Sequence, residues 1–330
     1  MPNLSRRLAL TGASAAAAGA GLVRPARAAS TKIRFLTSWF AEAEHGGFYQ
    51  AKATGLYEKA GLDVEIKMGG PQVNGMQLLT GGAADMVIGY DIQVLKSIEN
   101  GLPVTTVGAA MQFELQGVMT HDDVSSLKDL KGHKILISSA SYQTFWPWLK
   151  QRFGFTDDMA GVDTFNLAPF IADKTVAMQG YITSEPFEAR QAGQKVNFFL
   201  FADDGYPPYG TTMVTTNAFA DKNPEAVRAF VKASMEGWRD YMTNPAPGNA
   251  LIKADNPKMT DDRIAFAIKT MSEMHVLDRG DGATLGLGSM TDARWKSTRD
   301  FLVEAKLLKD STPWQKAYTT KFVDGLNIKA

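Results

Sequence analysis

The 330-residue chain contains no cysteine. This absence excludes disulfide bonds, a lipid anchor on an N-terminal cysteine, and metal or iron–sulfur sites that need thiolate ligands. Histidine is scarce as well, and its four copies lie far apart in the sequence: His45, His121, His133 and His275. A metal site would need several such ligands at defined short spacings. We therefore predict neither a metal site nor a cofactor.

The chain also lacks an excess of either charge, with 35 basic and 35 acidic residues. Residues 1–29 hold four of the basic residues and none of the acidic ones, so the remainder has 31 against 35, a net charge of −4. Nucleic-acid binding requires a basic face, and none is expected here. The sequence has no Gly-x-Ser-x-Gly elbow, phosphate-binding loop or HExxH helix, so we do not expect an enzyme.

Outside the N-terminus there is no apolar run long enough to cross a membrane. The N-terminus carries twin arginines, Arg6-Arg7, followed by a weakly apolar stretch over 8–23 that is rich in alanine and glycine. A membrane span needs about 20 strongly apolar residues, which this stretch does not supply. Ala26-Arg27-Ala28 then offers a small-x-small cleavage site. We predict a twin-arginine-type signal peptide over 1–29, with general export as the alternative, and a periplasmic mature protein.

Residues 32–70 have the pattern strand, loop, helix, turn, strand. Apolar residues alternate over 32–37 and again over 62–66, and the helix between them opens at Gly46-Gly47 and stops at Gly61. In such a βαβ unit the loop after the first strand lies at the edge of the sheet where open α/β folds bind ligands. That loop carries two aromatics, two carboxylates and an imidazole: Trp39, Phe40, Glu42, Glu44 and His45.

Strands and helices continue to alternate beyond this unit, in two series. The pattern predicts, among others, a helix over 71–80 and a strand over 162–165. The changes of pattern predict that the chain crosses between two lobes near 112–117 and 204–212, where Pro207-Pro208 would stiffen the second crossing. About 300 mature residues exceed the size of a typical single domain. We predict an α/β fold with a cleft between two hinged lobes: 30–113 plus 212–330, and 114–211.

The residues expected to face this cleft follow predicted strands or open the next helix. They are Trp39, Phe40, Glu42, His45, Tyr90, Asp91, Glu114, Tyr142, Trp146, Glu185 and Tyr209. Several have a structural alternative. Trp39, Phe40, Tyr142 and Trp146 would suit a core, Asp91 would suit a helix N-cap, and the glutamates would suit a first helical turn.

The order of motifs resembles that of periplasmic solute-binding proteins of ABC importers, in the branch that covers thiamine-pyrimidine, riboflavin, sulfonate, nitrate and taurine binders. The similarity extends over nearly the whole mature chain. The matching segments are Trp39, His45–Ala51, Gly55–Tyr57, Gly61–Val64, Gly69–Pro71, Gly81-Gly82, Asp85, Gly101–Val104, Leu127–Gly132, Tyr181 and Ser184–Pro186.

The resemblance implies a type II periplasmic binding protein fold with mixed sheets flanked by helices. It also implies a monomer that carries a small solute to a permease and its ATPase in the inner membrane. One step of the family pattern, Gly-x-Val/Ile-Asp-Ala, is replaced here over 173–178. Two alternatives stay open: an enzyme like the fungal pyrimidine synthase, because a lysine Schiff base leaves no motif, and a sensor subunit that uses the same cleft.

The charges of the expected cleft loops indicate the class of ligand. These loops contain carboxylates at 42, 44, 91, 114 and 185 but neither arginine nor lysine. Hard anions prefer a guanidinium partner, whereas carboxylates beside aromatic rings suit a flat, amino-bearing ligand such as an aminopyrimidine. Another amine remains an alternative. So does a sulfonate, taurine or nitrate, since helix N-termini can hold an anion without a cationic side chain.

Overall fold

The computed structural model describes residues 30–330, so the predicted signal peptide lies outside the described residues. Within residues 30–330, ten strands form two sheets of five. The first sheet contains β1 (Thr31–Leu36), β2 (Leu62–Lys67), β3 (Met86–Gly89), β4 (Val104–Met111) and β10 (Gly210–Thr216). The second sheet contains β5 (Gln116–His121), β6 (Lys134–Ile137), β7 (Ala160–Val162), β8 (Val176–Tyr181) and β9 (Val196–Leu200).

The two sheets repeat one topology. Their strand orders are β2-β1-β3-β10-β4 and β7-β6-β8-β5-β9. Strands β1, β2 and β3 are parallel, as are β6, β7 and β8, while β10 and β5 run antiparallel to both of their neighbours. The antiparallel strand is in each case the one that arrives from the other sheet. The predicted α/β class with mixed sheets is confirmed.

Helices flank both sheets. In the described part of the chain they are α1 (Gly46–Ala53), α2 (Leu56–Lys59), α3 (Gly75–Thr80), α4 (Asp91–Glu99), α5 (Phe145–Phe153), α6 (Ala168–Ala172), α7 (Glu185–Gln191), α8 (Asn217–Lys222), α9 (Pro224–Thr243), α10 (Ala246–Asp255), α11 (Asp261–Glu273), α12 (Asp281–Leu285) and α13 (Asp292–Glu304). We call β1–β4 and β10 with α1–α4 and α8–α13 the first lobe, and β5–β9 with α5–α7 the second lobe. Within 30–330, no helix is both long and apolar enough for a membrane span.

The predicted βαβ unit is present, but its helix is divided in two: α1 ends at Ala53, Gly55 has a left-handed φ of +72°, and α2 covers Leu56–Lys59. Helix α1 begins at Gly46, and Gly61 has the left-handed φ of +76° that was predicted for the stop before β2. Two other elements differ from prediction. The helix expected over 71–80 forms only from Gly75, and the strand expected over 162–165 is instead β7, which ends at Val162. Pairing stops there because the backbone N–H of Phe165 turns to the Asp163 side chain.

Helix α1 packs closely against α9, and glycines on both helices make room for the contact. A methyl group added at Gly47 would lie 2.1 Å from Cγ of Trp238, and one added at Gly237 would lie 2.2 Å from the carbonyl oxygen of Gly47. Gly46 faces the ring of Tyr241 in the same way. The Gly46-Gly47 pair of the sequence motif therefore has a packing role, which is close approach of two helices.

The chain crosses between the lobes at two crossing segments, 112–115 and 201–209. One side chain of α13, Arg294, contacts both of them. Its Nη2 donates to the carbonyl oxygen of Gln112 at 3.0 Å, its Nε donates to the carbonyl oxygen of Pro207, and its guanidinium lies over the ring of Tyr209 at 5.0 Å. Buried aromatic residues, including Phe201 and Tyr206, continue the second-lobe core across the second crossing.

Candidate ligand-binding cleft

Loops from both lobes meet where the parallel strands end. The first lobe contributes the loops after β1 and β3, and the second lobe contributes the ends of β6, β7 and β8. The β1 loop is held rigidly, because the carbonyl oxygen of Trp39 accepts from the backbone N–H of Gly69 at 2.9 Å and from Oγ1 of Thr37 at 2.7 Å. The fold therefore fixes the position of this loop relative to the sheet.

A line of polar side chains, Ser38, His45, Tyr90, Gln116 and Tyr181, joins the lobes where these loops meet, and we call it the floor of the candidate cleft. The Tyr90 hydroxyl lies 3.2 Å from the Tyr181 hydroxyl of the other lobe, and it donates to Oγ of Ser38 at 3.3 Å. Ser38 Oγ in turn lies 3.5 Å from Nε2 of His45, and Nε2 of Gln116 donates to the Tyr181 hydroxyl at 3.4 Å. Tyr90 sits directly after β3, Tyr181 ends β8 and Gln116 begins β5.

This floor is uncharged near neutral pH. Burial raises the pKa of Tyr90 to about 12, and the nearby Glu114 carboxylate acts in the same direction. Burial lowers the pKa of His45 to about 4. The tyrosine therefore keeps its proton and the imidazole stays neutral with one N–H, so the floor offers hydrogen bonds without a formal charge.

Aromatic side chains lie at the mouth. Trp39 is half-buried and its ring centroid lies 5.5 Å from that of Phe40, which is 39% exposed. On the opposite lobe, Phe165 approaches Trp39 with a centroid separation of 5.6 Å. Tyr142, also on the second lobe, is 44% exposed. The mouth thus presents apolar ring surface from both lobes.

The glutamates of the cleft loops are mostly engaged with the protein itself. Oε2 of Glu185 accepts from the backbone N–H of Tyr181 and from Oγ of Ser184, each at 2.6 Å. Glu44 accepts a hydrogen bond across the cleft from Oγ1 of Thr183. Burial, together with the charge of Glu44, holds the pKa of Glu42 well above its usual range. Glu44 thus links the two lobes, whereas the hydrogen bonds of Glu185 lie within the second lobe.

Arg263 on α11 is a cleft residue that the sequence reasoning missed. Its guanidinium donates to Glu188 on α7 of the second lobe and lies 3.8 Å from Oε1 of Glu42. Beside it, the rings of Phe187 and Phe266 meet across the same interface at 5.4 Å. We call this contact between α7 and α11 the latch. An arginine on an amphipathic helix more than 200 residues from the β1 loop gives no local signal of such a position.

The structure places three of the predicted site residues elsewhere. Trp146 is 1% exposed in the second-lobe core, where its Nε1 donates to Asp157 at 2.9 Å. Tyr209 is fully buried and its hydroxyl donates to Asp281 at 2.7 Å. Asp91 is fully buried as the first residue of α4 and accepts from the backbone N–H of Tyr209 at 2.9 Å. We correct these three assignments from ligand contacts to core and crossing-segment contacts.

Glu114 lies near both the cleft floor, at Tyr181, and the buried Asp91. It is 5% exposed in the first crossing segment, and its Oε1 accepts from the backbone N–H of Leu115 at 2.9 Å. Burial raises its pKa to about 7. Its carboxyl is close enough to the floor to raise the pKa of Tyr181 as well. In the described part of the chain, no group of three or more acidic or histidine side chains has the arrangement of a metal site.

Solved structures share this architecture. The periplasmic aliphatic sulphonate binding protein SsuA of Escherichia coli superimposes with a TM-score of 0.67 at 15% sequence identity, over 86% of this chain and 91% of that one. At that identity the likeness concerns the fold alone. It confirms the predicted periplasmic binding protein fold.

Curated relatives cover a large part of the chain. The riboflavin-binding protein RibY of Chloroflexus aurantiacus is 25% identical over 89% of this chain and 86% of its own length. The formylaminopyrimidine-binding protein of Halalkalibacterium halodurans is 26% identical over 64% of this chain and 67% of its own. A 4-amino-5-hydroxymethyl-2-methylpyrimidine phosphate synthase of Schizosaccharomyces pombe is 24% identical over 66% and 67%.

A family model assigns the sequence directly. The model described as NMT1/THI5 like matches residues 42–247, which include the cleft loops after β3, β6 and β8 and the end of the loop after β1. The motif-based resemblance to this group of binding proteins is thereby confirmed. The chain belongs to the NMT1/THI5-like family.

Proposed function

We propose that the protein is the extracytoplasmic solute-binding subunit of an ABC importer, and that it binds a flat, nitrogen-containing heteroaromatic compound between its lobes. An aminopyrimidine of the thiamine-pyrimidine type is the ligand class that fits best. Its partners would be a membrane permease and the ATPase of that permease. The residues assigned to the ligand are Ser38, Trp39, Tyr90, Gln116 and Tyr181, with Phe40, Glu42, His45, Tyr142 and Glu185 around them.

The observation that carries this proposal is the uncharged hydrogen-bonding floor beneath an aromatic mouth. Hydroxyl and amide groups at Tyr90, Tyr181 and Gln116 can each donate or accept, as ring nitrogens and exocyclic amines require. Trp39 supplies a large π-face on which a planar ring can stack. The two tyrosines belong to different lobes, so a ligand that bonds to both would hold the lobes together.

The same site suits an anion less well. The loops at 37–46, 90–93, 112–116, 138–146 and 181–187 contain no arginine or lysine. Arg263 reaches the interface, but its guanidinium is engaged by Glu188 and Glu42. A sulfonate would have to displace those carboxylates to gain the bidentate contact that such groups favour. Relatives named for riboflavin and formylaminopyrimidine support the heteroaromatic choice.

Because the family also contains synthases, the absence of catalysis is part of the proposal. General acid–base catalysis works best with a pKa near the working pH. In the cleft floor, His45 has a pKa of about 4 and Tyr90 one of about 12, so neither group meets that condition. Glu114 has a pKa of about 7, but it is buried and its carboxylate is engaged by the backbone N–H of Leu115. We expect purified protein to leave an aminopyrimidine probe chemically unchanged, as judged by mass spectrometry of the recovered compound.

The ligand class is tested by isothermal titration calorimetry with formylaminopyrimidine, riboflavin and taurine as probes. We expect a dissociation constant in the micromolar range or below for at least one of the two heteroaromatic compounds, and no binding of taurine. The protein should first be unfolded and refolded to remove any solute carried through purification. Binding of taurine with silence from both aromatic probes would overturn the proposal in favour of the sulfonate class.

The latch gives a second prediction. Replacing Arg263 by glutamine should weaken binding of the heteroaromatic probe by about 5- to 10-fold, or ~1 kcal/mol, because its contact with Glu188 forms only when the lobes are together. The matched control is Lys269→Gln on the same helix, whose exposed ammonium pairs with Glu273 of its own helix. Equal losses in both variants would indicate a general charge effect and not a latch.

A further inference from the structure

Phe165 combines two unusual properties. It lies in the loop between β7 and α6, its side chain is 59% exposed, and its backbone has a left-handed φ of +55°. A bulky aromatic residue rarely adopts that conformation, because its Cβ crowds the following carbonyl oxygen. A large apolar ring held outside the core in a disfavoured conformation calls for a specific contact.

The neighbouring residues fix this conformation. The backbone N–H of Phe165 donates to Oδ1 of Asp163 at 2.7 Å, and Asp163 is itself 8% exposed. The backbone N–H of Asp163 donates to the carbonyl oxygen of Ile137 at 2.9 Å, which ties the loop to strand β6. On the other side, Asn166 accepts from the backbone N–H of Ala168 at 2.9 Å. The loop therefore presents the ring in a defined direction.

That direction is across the cleft. The Phe165 ring centroid lies 5.6 Å from that of Trp39, with an angle of 49° between the planes. Trp39 belongs to the β1 loop of the first lobe, whose backbone is anchored by Thr37 and Gly69. Two anchored aromatic residues from different lobes thus face each other at the mouth.

The separation between the rings is too small for a stacked guest. A planar ring between two others needs a van der Waals gap of about 3.5 Å on each side, or about 7 Å in total. At 5.6 Å the two rings occupy the space that such a guest would use. Entry of a ligand between them must therefore separate Trp39 from Phe165, and a planar aromatic ligand would replace the ring contact that is lost.

We propose that Phe165 is a specificity-determining residue that favours planar aromatic ligands over aliphatic ones. In the bound state its ring covers the face of the ligand opposite to Trp39, and without ligand it closes the mouth against that tryptophan. This inference rests on the proposed function, since it concerns the selectivity of the same cleft.

The test compares Phe165→Leu with Phe165→Tyr, using formylaminopyrimidine and riboflavin as probes in calorimetry. Leucine keeps apolar bulk but removes the π-face, so binding of the aromatic probe that the wild type accepts should weaken by about 5- to 20-fold. Tyrosine keeps the ring and should bind within about 2-fold of the wild type. Both variants should unfold at the wild-type temperature, because the side chain lies outside the core.

The outcomes separate the two proposals. If the wild type binds neither aromatic probe, the proposed function fails and this inference fails with it. If the wild type binds one of them and Phe165→Leu binds it equally well, only the role of Phe165 is overturned. An equal loss in the leucine and tyrosine variants would also contradict it, because that result would point to loop geometry and not to the aromatic face.

Discussion

Replacing Gly47 by alanine should lower the free energy of unfolding by about 3 kcal/mol, at the upper end of the range for overpacked cores. The new methyl group would lie 2.1 Å from Cγ of Trp238, whose side chain is fully buried and has no space to move into. Helices α1 and α9 would have to separate, and the interface that carries Phe48 and Phe230 would loosen with them. Urea denaturation followed by far-ultraviolet circular dichroism measures the change.

A matched control comes from a glycine with free space around it. At Gly75, the first residue of α3, the nearest atom to an added methyl group is Cδ2 of Leu36 at 3.8 Å. Gly75→Ala should therefore be neutral or stabilise the protein by up to about 1 kcal/mol, the usual gain in helix propensity. A Gly47→Ala variant with a wild-type urea midpoint would refute the packing explanation of the Gly46-Gly47 motif.

Replacing Asp91 by asparagine should make the protein progressively more stable than the wild type as the pH rises. Burial raises the pKa of Asp91 to about 7 in the folded state, against 3.8 for its ordinary value. Between these values the folded wild type binds more protons than the unfolded chain, so its stability falls as the pH increases. The asparagine variant lacks this loss, and its relative stability should rise by roughly 2–3 kcal/mol from pH 5 to pH 8.

Denaturation curves at several pH values test the effect. Burial also raises the pKa of Glu114 to about 7. Glu114 therefore lowers the stability of both proteins as the pH rises, and its effect largely cancels in the comparison. The control is Asp85→Asn. Hydrogen bonds with Arg34 hold the pKa of Asp85 below its ordinary value. The difference in stability between the wild type and Asp85→Asn should therefore stay constant above pH 5. Parallel pH profiles for the wild type and Asp91→Asn would contradict the prediction.

Much of the fold could be predicted because the relevant signals are local. The alternation of apolar residues in β1 and β2, and the left-handed glycine at position 61, depend on neighbours a few residues away. The rule that ligand loops follow parallel strands then placed Trp39 and Tyr90 in the cleft region. These assignments needed only the strand order, which brings the loops together.

The remaining cleft residues depend on contacts between distant segments. Tyr181 ends a strand and by its sequence belongs to the sheet, yet its hydroxyl reaches Tyr90 in the other lobe. The spacing predicts that Phe165 continues a strand, because a hydrogen bond from its backbone N–H to the Asp163 side chain leaves no signal in the pattern. Trp146 illustrates the opposite error: a residue in the first turn of a helix can point to the cleft or to the core, and the pattern allows both.

The hydrogen bonds from Arg294 to the carbonyl oxygens of Gln112 and Pro207 affect how the lobes can move. Two crossing segments bonded to one guanidinium would move together, so the second lobe would rotate about a single pivot beside α13. Strand β7 lies three positions from β5 in its sheet, a lever arm of about 14 Å. A small rotation at the pivot would then move Phe165 away from Trp39 well before it disturbed Gln116, which adjoins the pivot.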